Sequence, residues 1–167
     1  MDTTISNILA TLLIAFLLFT GPVYDTFQTT DKLVDTTANN VINKFEKDTR
    51  KTGYIDSEKY NDFLRELSRT GRVYEITMTH TSKLVFPSTD TEGDYEIHEI
   101  KYGTNNILET IKDGNSKYCM RYGDDFKVLI KEKEVSPSRM LIGALASKKA
   151  NLLVFSGGGM VENEVVE

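Results

Sequence analysis

Cysteine is almost missing from this sequence: Cys119 stands alone among 167 residues. No intramolecular disulfide can form, which excludes a disulfide-stapled mini-protein. Cys119 itself is expected as a buried or half-buried strand residue. Histidine is nearly as scarce, with His80 and His98 alone. The sequence has no Cys-x-x-Cys and no His-x-x-x-His, so it carries no local sign of a zinc site. Each histidine is expected as a satisfied strand residue. Asp90, Glu92 and Asp94 alternate in one loop but lack the twelve-position calcium-loop pattern. No serine sits in Gly-x-Ser-x-Gly. Gly157-Gly158-Gly159 lacks the Lys-Ser/Thr of a phosphate loop and reads as a flexible turn. Basic charge is also short, with 20 basic against 25 acidic side chains and a net charge of −5. Without a clustered Lys/Arg face, a nucleic-acid footprint is excluded. These absences leave no catalytic residue, metal ligand or cofactor to name, and a non-enzymatic role is expected.

Charge is also missing from Thr3 to Tyr24, and here the absence is itself a feature. Leu9, Leu12, Leu13, Ile14, Phe16, Leu17, Leu18 and Phe19 form the dense centre of that run. A membrane-spanning helix needs about 20 mostly apolar residues, and the run has that length. Ser6, Asn7, Thr11 and Thr20 are small polar residues of the kind that face neighbouring helices. A secretory signal would start with a basic stretch, whereas the charged side chain before this run is Asp2. A retained anchor over residues 1–24 is therefore expected.

Gly21-Pro22 interrupts the run and reads as a helix end or a kink. A helical pattern then continues. Phe27, Val34 and Val41 are spaced by seven, as are Ala38 and Phe45, which places them on one face of an amphipathic stalk over residues 25–52. The stalk packs either on its own domain or on partners. Leu13, Phe16, Phe27, Val34, Ala38, Val41 and Phe45 are the candidate interface.

Residues 54–167 read as a small α+β head with a mixed or antiparallel sheet of four or five strands and an acidic tail. Gly53 ends the stalk, Asp56 is a fitting N-cap, and Gly71 suits the C′ position of a helix over 57–70. The period then changes to two over Val73–Thr81, with Tyr74, Ile76, Met78 and His80 on one face. Pro87 to Gly93 reads as an exposed loop. Tyr95–Tyr102 is a further strand, and Thr104 is expected to cap a short helix over 105–112. Lys117–Tyr122 and Phe126–Lys131 read as a hairpin about the turn Gly123-Asp124-Asp125. Residues 139–146 fit either a strand or a short helix, and 151–155 a last strand. Tyr95, Tyr102, Tyr118 and Tyr122, with Phe126, make a tyrosine-rich sheet that packs under a helix or presents an interface.

This order of features resembles the TadE-like pseudopilins, in particular their short Gram-positive relatives. The resemblance is carried by the stretch from Val41-Ile42-Asn43-Lys44-Phe45 to Thr52-Gly53-Tyr54-Ile55-Asp56, by Phe63-Leu64 and Thr70-Gly71, and by the ending Ser156-Gly157-Gly158-Gly159-Met160-Val161-Glu162-Asn163-Glu164. It implies a pilin-like fold and a single pass through the cytoplasmic membrane, with the soluble domain outside. It also implies a structural or assembly role, as a minor subunit or accessory factor of a surface filament, secretion or conjugation system. Partners would be membrane lipid and further copies of this chain or other pilin-like subunits. Processed members carry a basic leader and a glutamate five residues into the mature chain. Asp2 stands in place of a basic residue here, so an unprocessed relative is expected. The alternative is a membrane-tethered module that binds a small ligand, peptide or cell-wall component through the tyrosine face or the 87–94 loop.

Overall fold

A computed structural model describes residues 2–87, 95–112, 116–145, 147, 149–150 and 151–163. It is an α+β structure in which a long apolar N-terminal helix precedes a small antiparallel sheet. Two compact units divide it: Met1–Thr36 with Val135–Asn151, and Thr37–Glu134 with Leu152–Glu167. Residues 135–151, assigned by sequence to the head, thus group with the N-terminal segment.

Helix α1 runs unbroken from Asp2 to Thr52 and carries Pro22 inside it. Gly21-Pro22 is therefore not a helix end. Thr52 Oγ1 donates to the Asp48 carbonyl, and Gly53, at φ +72°, stops the helix in the left-handed region.

In the second unit, strand β1 (Tyr54–Ile55) leads into helix α2 (Ser57–Ser68). Asp56 caps α2 as its side chain predicts, accepting from Lys59 N at 2.8 Å. Gly71, at φ +71°, turns the chain away past its end. Strand β2 (Tyr74–Pro87) outlasts the expected strand, because its second half pairs with β3 (Tyr95–Gly103). Residues 88–94, most of the expected exposed loop, lie outside the described residues. Helix α3 (Thr104–Ile111) follows directly. Thr104 is not its cap. The Thr104 hydroxyl accepts from Met78 N at 2.8 Å and donates to Met78 O at 3.2 Å, which ties the helix start to β2.

The expected hairpin at 117–131 does not form. Strand β4 (Tyr118–Cys119) pairs with β1, while β5 (Asp125–Glu132) pairs with β2. Residues 137–145 settle as a helix, α4 (Pro137–Leu145), in the first unit. Strand β6 (Val154–Met160) contains the three glycines expected to form a turn. The main sheet has the order β3-β2-β5-β6, antiparallel throughout.

One face of this sheet makes the core. Met78, Phe126, Val128 and Ile130 are fully buried, and Glu75, Thr77 and Lys127 point the other way. The C-terminal part of α1 lies on the buried face. Ala38, Val41, Ile42 and Phe45 join the core, and the Phe45 ring stacks on Phe63 at 4.3 Å and meets Phe126 edge-on at 6.2 Å. The glycines of β6 allow that approach. Gly157 and Gly159 pair with the inward-facing Val128 and Phe126. A Cβ on Gly157 would lie 2.9 Å from Glu46 Cγ and 3.1 Å from Ile42 Cγ2.

Candidate functional site

The expected interface residues fall into two groups. Ala38, Val41 and Phe45 are at most 8% exposed and belong to the core of their own head. For these three the intermolecular reading is corrected. A heptad spacing marks the apolar face of a helix, and here the chain's own sheet supplies the cover. Leu13, Phe16 and Phe27 are exposed at 55%, 66% and 39%, and Val34 is half-buried.

The exposed group belongs to a continuous surface on α1. Ile5, Ile8, Leu9, Leu12, Leu17 and Phe19 are all more than half exposed. The most apolar 18-residue window of the helix has a mean hydropathy of 1.9 and buries nothing. Its threonines are satisfied from within: Thr11 Oγ1 donates to Asn7 O at 2.8 Å, and Thr20 Oγ1 to Phe16 O at 2.6 Å. Thr26 Oγ1 donates to the Pro22 carbonyl at 2.8 Å, just past the proline. Backbone and hydroxyl groups that bond within one helix are what a hydrocarbon environment requires.

The other concentration of functional groups is in the second unit, beneath a shallow open cleft. His80 and Asp124 are 4% and 2% exposed. His80 Nε2 lies 2.9 Å from Asp124 Oδ2, and His80 Nδ1 lies 2.7 Å from the Tyr118 hydroxyl. Asp124 also accepts Lys83 N on Oδ1 and Arg121 N on Oδ2, each at 3.0 Å. Burial works to raise the Asp124 carboxyl, but the hydrogen bonds from His80 and the two backbone N–H groups outweigh it. The carboxyl is held below its ordinary value. Burial foremost, with Tyr102 and the Asp124 charge beside it, pushes the Tyr118 phenol up to about 12. The ionised carboxylate takes the N–H of Nε2, and Nδ1 pairs with the Tyr118 hydroxyl. Tyr102 stacks on the imidazole at 5.4 Å.

His80 is thus a satisfied strand histidine, as its position in β2 predicts. Asp124, expected as part of a simple turn, is instead the hub that joins β2 to the segment before β5. Cys119 departs from expectation: it is exposed. The tyrosines do not share one face. Tyr102 and Tyr118 close on His80, while Tyr95 and Tyr122 are about two-thirds exposed. His98 is exposed beside Glu96 at 3.5 Å. Among the described residues, no group of three His, Cys, Asp or Glu side chains is placed to hold a metal ion.

No family model matches the chain, and neither a curated protein nor a solved structure matches it. Fold and surface together define a general class: an α+β chain whose single long apolar N-terminal helix is compatible with a transmembrane segment.

Proposed function

We propose that this chain is a non-enzymatic, single-pass membrane-anchored assembly subunit of pilin-like build, a minor pseudopilin or accessory factor of a surface filament, secretion or conjugation system. One observation carries the reading. A single helix is bare across the apolar window of its first half and packs into a folded core from Ala38 onward. The bare half buries nothing within its own chain, so lipid and neighbouring helices are its natural cover. Leu13, Phe16, Phe27 and Val34 make the contacts with like helices. The head, placed outside the membrane, supplies partner specificity.

The His80 cluster supports the non-enzymatic part of the reading. An activated nucleophile has a base that takes its proton, or a lowered pKa. Here Tyr118 holds its proton more tightly than a free phenol. Asp124 spends its oxygens on three donors that tie β2 to the 121–125 segment. The cleft above this cluster favours one second reading, a tethered module that binds a small ligand or peptide there.

An alkaline carbonate wash of native membranes tests the anchor. The full-length chain is expected to stay in the pellet. Complete release into the supernatant would overturn the proposal.

A further inference from the structure

Helix α4 is the second feature of the first unit, and its sequence is unlike the rest of the chain. Residues 135–151 hold Arg139, Lys148 and Lys149 and no acid, in a chain of net charge −5. Ser136 and Ser138 are buried, and both hydroxyls donate to the Asp31 carboxylate on α1, that of Ser136 at 2.6 Å. Arg139 Nε donates to Ser136 Oγ at 2.8 Å, which closes the latch.

The latch sets the height of α4 along α1. At 1.5 Å per residue, Asp31 lies roughly 10 Å beyond Tyr24, the last residue of the uncharged run. The headgroup layer adds about 5–8 Å beyond the hydrocarbon on each side, and amphipathic helices lie along it with the apolar face pressed inward. Helix α4 is therefore fastened at the outer edge of the headgroup layer, within side-chain reach of it. Its Ser138 side faces the latch. Met140, 56% exposed, and the exposed Ala144 fall on the opposite side, and Leu141 and Ile142, one turn on from Ser138, are still 42% and 38% exposed. An apolar stripe with basic flanks suits a surface of anionic lipid.

We infer that α4 is an interfacial helix, which lays Met140, Leu141 and Ala144 into the headgroup boundary of the bilayer that α1 crosses. The inference rests on the anchor reading above. It gives the first unit two lipid contacts, one across the membrane and one along its surface, joined by Asp31.

The chain contains no tryptophan, so one introduced indole reports alone. Full-length Leu141→Trp and, separately, full-length Phe16→Trp are reconstituted into vesicles of mixed neutral and anionic phospholipid. Spin-labelled lipids carry the quencher near the headgroup or deep in the acyl chain. Leu141→Trp is expected to shift to the blue and to be quenched by the shallow label, more strongly as the anionic fraction rises. Phe16→Trp is expected to respond to the deep label. If Leu141→Trp stays open to aqueous iodide, or shifts to the blue with no quenching by lipid, water or protein covers the face and the inference falls. If Phe16→Trp alone escapes the lipid labels, the anchor reading fails while the α4 contact stands. If neither residue meets lipid, both fall.

Discussion

At the scale of the residue, Asp124 concentrates the most consequence in one side chain. Its carboxylate satisfies an imidazole N–H and two backbone N–H groups, with Asp124 and His80 almost fully buried beneath the cleft. Replacing Asp124 by alanine leaves these donors without their acceptor, and we expect a loss of about 3 kcal/mol in head stability by urea unfolding. The pH dependence follows from the depressed carboxyl. An Asp whose folded pKa lies below its unfolded value stabilises the fold fully above the unfolded pKa. That stabilisation disappears as pH falls through the folded pKa. Wild-type stability should therefore decline below about pH 4, and Asp124→Asn should flatten that decline. An unchanged acid limb in the variant would remove Asp124 as its source. Sequence alone pointed to His80 as a bonded strand residue but not to its partners. Gly123-Asp124-Asp125 has the composition of an ordinary turn, and the role of Asp124 depends on β2 passing beside it.

At the scale of the element, local chemistry was legible wherever a single residue enforces it. Asp56 starts α2, Gly53 and Gly71 end helices, and the period-two run at Tyr74 makes a strand. Pairing was not legible. β1 and β4 are two residues each, too short to leave a pattern, and their union replaced the hairpin that Lys117–Lys131 suggested. The glycine run of β6 has the look of a loop because its reason lies on another element, the approach of α1. That same approach decided the heptad residues, since spacing shows an apolar face but not what covers it. Two substitutions separate the roles. Gly157→Val, forced against Ile42 and Glu46, is expected to destabilise the head by about 1–3 kcal/mol of overpacking. Val34→Asp lies outside the head core and is expected to reduce complex size with the urea midpoint of the head preserved. A Val34→Asp chain with unchanged complexes would remove that residue from the contact.

At the scale of the whole molecule, the two compact units divide the physical work. The second unit is held by its own core of sheet, α2 and the end of α1, by the Asp124 hub and by ion pairs at its edges. Arg50 meets Glu162 at 2.5 Å and Glu46 at 3.4 Å, and Arg72 meets the buried Glu132. The first unit has no comparable apolar core among its described residues, and its large side chains stand exposed. Apolar surface returns about 25 cal/mol per Å² when removed from water, less the ordering cost of association. A long helix left bare in this way is stable where lipid and other helices surround it.

The most direct measurement is the native mass of the full-length chain extracted from its own membranes in mild detergent. The account predicts discrete complexes larger than one chain, with the apolar segment up to Tyr24 intact and further subunits identified by mass. A homogeneous single chain, or one recovered from the soluble fraction without detergent, would contradict it.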